Sequence, residues 1–186
     1  MTDYNFIRIF VLSNLNIQQI TEKDAALLAD VALKSYSDHY LHLWYDNGDW
    51  YKQQCFTKEI LEDELIDFNN LFFIVYSDNE PVGFLKVRID AGLDTEPGKD
   101  SIELERIYLT KEASGKGIGK ELAELSFAIA KEHKKQIIWL KAMDTSFGPI
   151  AFYEKMGFEI CGTTRLTFEQ MKEGYRGMVI MKKELR

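Results

Sequence analysis

SIELERIYLTKEASGKGIGKELAELSFAIAKEHKKQIIWLKA, residues 101–142, changes its hydrophobic period twice. Within Ser101 to Leu109, Ile102, Glu103, Leu104 and Glu105 alternate apolar and polar side chains, the two-residue period of a strand. From Gly117 to His133 the apolar residues Ile118, Leu122, Leu125 and Ile129 recur at i, i+4, i+7 and i+11, one stripe of an amphipathic helix. Gln136 to Ala142 is then a short continuous apolar run, the mark of a strand buried on both faces. Strand, glycine turn, helix and strand make a β-α-β unit, and its two strands are expected to run parallel.

Working outward, Leu71 to Ser77 and Val82 to Ile89 are two β-rich runs separated by a short polar turn, which reads as a hairpin. With Ser101 to Leu109 they predict an antiparallel meander. Further upstream, Phe6 to Leu12 reads as a first strand. A helix follows with Ile20, Leu27, Leu28, Val31 and Leu33 on its apolar side, capped by Thr21 or Asp24. Asp46-Asn47-Gly48 breaks the chain, and a second, acidic helix is expected from about Thr57 to Asp67. Downstream come a helix from about Phe147 to Met156, a strand beginning near Phe158 and a final strand GMVIMKK. The fold class is therefore α+β: one domain over residues 1–186, with a mixed, mostly antiparallel sheet of about seven strands flanked by about four helices.

The chain has 186 residues, 46% of them hydrophobic and 13% aromatic, which excludes a disordered or fibrous chain and suits one domain with a real core. A formal charge of -7 argues against a nucleic-acid partner, since phosphate neutralisation needs a basic face. No apolar run approaches the roughly 20 residues that span a bilayer, so no membrane partner is expected. Cys55 and Cys161 lie far apart, in no metal-ligand spacing and behind no secretory leader, so a cytoplasmic setting is expected.

The glycine-rich turn can be tested against two phosphate motifs by counting. In a P-loop ending at Gly119-Lys120 the leading glycine falls on Ser114, and Glu121 stands where Mg²⁺ needs a hydroxyl. A dinucleotide fingerprint through Gly115 and Gly117 requires a third glycine where Lys120 stands. What remains is physical. Glycines let the backbone approach a ligand, and the helix that follows offers unpaired N–H groups and the positive end of its dipole. Lys116 and Lys120 add positive charge.

Ser114-Gly115-Lys116-Gly117-Ile118-Gly119 resembles the acetyl-CoA signature Q/R-x-x-G-x-G/A of the GNAT family of N-acetyltransferases, with Ser114 in place of the usual Gln or Arg. The preceding LERIYL is similar to that family's fourth strand, and IAFYEKMGF (Ile150 to Phe158) to its late helix motif. Ser146 stands where many relatives carry Asn, and Pro149 where many carry Ala. The resemblance is strong over about residues 71–160, and within the family the chain looks most like PaiA-type spermidine/spermine acetyltransferases. It implies acetyl-CoA as co-substrate. The backbone of Ile107, Tyr108 and Leu109 is implied to meet the pantetheine arm, and residues Ser114 to Lys120 the pyrophosphate. Ser146, Phe152 and Lys155 are further candidates for the cofactor.

Acetyl transfer to an amine needs a neutral amine and a proton for the departing thiolate, with alkylamine and thiol pKa values of about 10 and about 8.5. The resemblance implies Tyr153 as the acid. Its other reading is an aromatic anchor, a role for which Phe152 is better suited. Glu103 and Glu105 are the candidate bases: by strict alternation both lie on one face with Ile107 and Leu109. If the intervening loop closes a symmetric hairpin, Arg88 instead faces Glu103 and Lys86 faces Glu105 in a cross-strand charge ladder. Both readings stay open.

The aromatic run containing Tyr36, Tyr40 and Trp44 falls where the family shapes its acceptor pocket, and with the acids at Glu59, Glu62, Asp63, Glu64 and Asp67 it suits a small cationic amine such as a polyamine. The alternative is a buried aromatic core beside a solvated acidic face. His39 and His42 share a helix face but lack a third ligand, so no metal site is expected. Three activities remain: a polyamine acetyltransferase, a protein or peptide acetyltransferase, and a CoA-binding module without catalysis. A homodimer stays open.

Overall fold

The computed structural model describes residues 9–12 and 15–185. They form one eight-stranded sheet in the order β1-β2-β3-β4-β5-β6-β8-β7. Its strands are β1 (Ile9–Leu12), β2 (Leu15–Gln19), β3 (Asn70–Ser77), β4 (Glu80–Arg88), β5 (Ser101–Leu109), β6 (Ile137–Met143), β7 (Glu159–Arg165) and β8 (Gly177–Glu184). The helices are α1 (Ala25–Tyr40), α2 (Asp49–Cys55), α3 (Lys58–Ile66), α4 (Ile118–Glu132) and α5 (Phe147–Lys155). All seven expected strands and four expected helices are present, joined by β2 and α2. The part of the first expected strand from Phe6 to Arg8 lies outside the described residues.

Local chemistry explains the elements. Asp78 and Asn79 both adopt positive φ, 52° and 67°, the geometry of a two-residue turn whose twist matches the paired strands β3 and β4. Thr21 and Asp24 act together: the Thr21 N–H donates to Asp24 Oδ2 at 3.0 Å in a capping box one turn before α1. Within α1 the buried residues Leu28, Ala29, Val31, Ala32, Ser35 and Tyr36 follow helical spacing, whereas Leu33, expected on that face, is exposed. Asn47 and Gly48 take left-handed conformations, and Asp46 accepts from the N–H groups of Gly48 and Trp50 to start α2.

Apolar layers cover both faces of the sheet. One contains Phe73, Val75, Leu85, Val87, Ile102 and Leu104, with Ile118, Leu122, Leu125 and Ile129 of α4 laid across them. The other contains Phe72, Ile74 and Phe84 beneath Leu28, Val31, Tyr36 and Leu61 of α1 and α3. The expected α4 stripe is thus the stripe that is buried. No helix among the described residues is long and apolar enough to cross a membrane.

Candidate active site

β5 and β6 pair in parallel over only three residues, Ser101 to Glu103 against Ile137 to Trp139. Beyond them β5 stays paired with β4 as far as Leu109, and β6 with β8 as far as Met143, so their facing edges open into a gap. A bulge explains the divergence. Lys86 is opposite Arg106 and Val87 opposite Leu104, leaving Glu105 as an extra residue, and an extra residue bends and twists its strand. The gap opens toward the carboxyl ends of two parallel strands, where helix N-termini gather and ligands of such sheets bind.

On one side of the gap lies the glycine loop. Gly115 and Gly117 hold positive φ, 76° and 82°, and a Cβ added at either would meet nothing within 4 Å. Their glycine identity therefore serves backbone conformation and leaves the surface open. The N–H groups of residues 115–119 donate to no backbone carbonyl among the described residues, and they stand at the N-terminus of the 15-residue α4. A pyrophosphate fits that cradle. Lys116 and Lys120 are exposed beside it, Lys120 within 3.6 Å of Glu124. Ser114 is exposed as well, its hydroxyl donating to the Thr110 carbonyl at 3.1 Å. Ile118 is buried beneath the loop, and Phe152 packs against Gly119. Lys155, three residues after Phe152 on α5, is exposed.

On the other side is a cleft of about 270 Å³ lined by His39, Tyr40, His42, Thr145, Ser146 and Tyr175, among others. Pro149 also lines it, and Tyr153 follows one helical turn later on the same side of α5. Tyr153 is half-buried, packed edge-on to Phe152 and Phe158. Burial pushes its phenol up from the ordinary tyrosine value, with a smaller contribution from Tyr40. Ile107 and Leu109 pack on the α4 side of the sheet, while the Tyr108 ring joins the aromatic layer on the other. The Leu109 carbonyl meets His39 Nε2 at 3.1 Å. The structure thus brings Leu109, Gly119, Ser146, Phe152, Tyr153 and Tyr40 around one gap. Ser146 sits on its cleft side.

Other expected site residues lie elsewhere. Because of the bulge, Glu103 and Glu105 do not share a face with Ile107 and Leu109; both carboxylates turn to the side carrying Lys86, Arg88 and Arg106. The charge ladder is what forms. Arg88 Nη1 lies 3.1 Å from Glu103 Oε2, and Lys86 Nζ lies 2.9 Å from Glu105 Oε2. Glu64 of α3 completes the group, 3.0 Å from Lys86 and paired through both oxygens with Arg106 at 3.1 and 3.3 Å. Glu103 is buried at 4% exposure; burial raises its carboxyl above the usual range, partly offset by Lys141 and Arg88. It stands six residues before Leu109, about 20 Å of extended chain.

Tyr36 and Trp44 are core rather than acceptor-pocket residues. They are 3% and 2% exposed, Trp44 Nε1 donates to the Tyr36 hydroxyl at 2.7 Å, and both stack with Tyr51. An indole and a phenol that satisfy each other bury at little polar cost. Of the three aromatic residues expected there, Tyr40 alone lines the cleft. No group of three metal-ligating side chains occurs among the described residues. Met143, Thr145 and Tyr175 are not legible in the sequence as cleft residues, because Met143 and Thr145, at the end of β6 and in the turn to α5, meet the distant Tyr175 only through the pairing of β6 with β8.

Three comparisons bear on this arrangement. The sequence model of the acetyltransferase (GNAT) family matches residues 29–158. An uncharacterised N-acetyltransferase of Lactobacillus delbrueckii subsp. lactis is 27% identical over 150 residues, covering 78% of this chain and 85% of that protein. A spermine/spermidine N(1)-acetyltransferase of Bacillus subtilis is 22% identical over 150 residues, covering 80% and 90%. Among solved structures, the PaiA N-acetyltransferase of Thermoplasma acidophilum in complex with coenzyme A superposes with a TM-score of 0.71 at 23% identity, over 92% of this chain and 99% of that one. The ribosomal-protein-S5-alanine acetyltransferase of Vibrio fischeri superposes with a TM-score of 0.72 at 15% identity, over 95% and 96%.

Proposed function

The chain belongs to the acetyltransferase (GNAT) family, and from that premise we propose that it acetylates a small primary amine, with a polyamine such as spermidine as the acceptor. The observation that carries the reading is the gap between β5 and β6, flanked by an anion cradle on one side and a small aromatic cleft on the other. A two-sided gap lets two substrates meet without either displacing the other, as direct transfer in a ternary complex requires. Acetyl-CoA supplies the acyl group as an activated thioester. The free N–H groups at residues 115–119 hold its pyrophosphate, and Lys116 and Lys120 add charge. Tyr153, kept protonated by burial, gives its proton to the departing sulfur.

On the acceptor side, the rings of Tyr40, His42 and Tyr175 present faces and edges suited to an organic cation. Its volume suits a flexible chain entering end-on. The polyamine assignment draws further support from the Bacillus subtilis relative. A peptide N-terminus is the second reading, favoured by the similar fold of the ribosomal-protein acetyltransferase. Thiol release from acetyl-CoA, measured across spermidine, amino acids and peptides, separates the readings. Turnover with spermidine alone supports the polyamine, turnover with peptides alone replaces it, and no thiol release with any amine leaves a CoA-binding module.

A further inference from the structure

His39 lies in the last turn of α1, lines the cleft, and places Nε2 3.1 Å from the Leu109 carbonyl oxygen. A carbonyl oxygen only accepts hydrogen bonds, so Nε2 must carry the hydrogen. In the neutral ring that leaves Nδ1 as a bare acceptor, and among the described residues it has no hydrogen-bond partner. The carboxylates of β5 are otherwise occupied. Glu105 is held by Lys86 and Arg106, and Glu103 by Arg88, well back along the strand from Leu109. The cleft therefore holds an imidazole whose tautomer is set by the backbone of β5, across from the Tyr153 helix.

We propose that His39 is the catalytic base: Nδ1 removes a proton from the acceptor ammonium in the cleft. The assignment rests on the reading that this cleft receives the amine. The freed nitrogen lone pair forms the new C–N bond to the thioester carbon as the C–S bond breaks. Tyr153 gives its proton to the sulfur and regains one from the attacking nitrogen, while His39 passes its proton to water. One ammonium and one thioester thus yield one amide, one thiol and one proton.

His39→Gln separates this role from a structural one, because the glutamine amide can still donate to the Leu109 carbonyl but is not a base. With ethylamine as acceptor, kcat/KM is expected to fall about 100-fold or more. With 2,2,2-trifluoroethylamine, which is already uncharged at neutral pH, it is expected to change little. Equal losses with both amines, or no loss with ethylamine, would overturn the proposal. A second readout needs no acceptor and no acetyl-CoA: ¹⁵N-histidine spectra of the wild-type protein at a pH where the rings are neutral. The His39 signals, assigned by elimination with His42→Asn and His133→Asn, are expected to show hydrogen on Nε2; hydrogen on Nδ1 would overturn the proposal even if His39→Gln failed to fold. Wild-type turnover of ethylamine without turnover of spermidine would remove the polyamine and leave the test of His39 intact.

Discussion

Lys86 and Glu105 form an ion pair at 2.9 Å although they are not register partners, because the bulge at Glu105 places Arg106 opposite Lys86. Both side chains of the pair are largely withdrawn from water, and Glu64 and Arg106 complete an alternating group of two acids and two bases. Such a group anchors α3 to the sheet. Its members depend on one another, since removing one charge strands its partners in a poorly solvated place.

Lys86→Met should therefore destabilise the protein by about 3 kcal/mol, although methionine fills much of the same volume. Urea unfolding measures this. A loss below about 1 kcal/mol would mean that water reaches Glu64 and Glu105 freely enough to replace the lysine.

Tyr153→Phe removes the hydroxyl and keeps the ring packed on Phe152 and Phe158. Turnover should fall by about 100-fold or more, with the acetyl-CoA dissociation constant and the melting temperature nearly unchanged. Calorimetric titration beside steady-state kinetics makes the distinction. Unchanged turnover would remove Tyr153 from the proton path.

Gly117→Ala tests the cradle. At φ 82° an alanine is strained, at a cost of about 1 kcal/mol, yet its methyl group meets no protein atom. The methyl group would intrude on the space the cradle leaves for a ligand. Acetyl-CoA should bind about tenfold more weakly, the equivalent of about 1.4 kcal/mol. A stability loss with unchanged affinity would separate the loop from the cofactor.

Glu103 gives a pH signature. Its carboxyl is raised in the folded protein, chiefly by burial, so the folded state holds this proton where the unfolded chain has already released it. The stabilisation is fully present below the unfolded carboxylate value and is lost as pH rises through the folded one. Relative to Glu103→Gln, the wild type should lose stability as pH climbs from about 4 toward neutrality. Denaturation curves for both proteins at each pH give the difference directly; a difference that grows in favour of the wild type would reverse the sign.

Much of the fold is legible in local pattern. The α4 stripe, the buried run of β6, the hairpin of β3 and β4 and the glycine turn each depend on residues within about four positions of one another, which is the range over which helical and strand periods act. β2 escaped because Leu15 to Gln19 is mostly polar and owes its state to pairing with β3. α2 escaped because it is a seven-residue element held by the Asp46 cap and the aromatic core.

The site divides along the same line. The glycine conformations and the helix N-terminus after Gly117 follow from sequence alone, since they are set by backbone sterics and by hydrogen bonds that a helix end cannot make internally. Two things depended on tertiary structure: the face to which Glu103 and Glu105 turn, and the meeting of His39 with Leu109. A single bulged residue reverses strand alternation without any mark in composition, and the contact between α1 and β5 joins residues 70 positions apart. Packing of the helix on the sheet brings them together, and no periodicity carries that information.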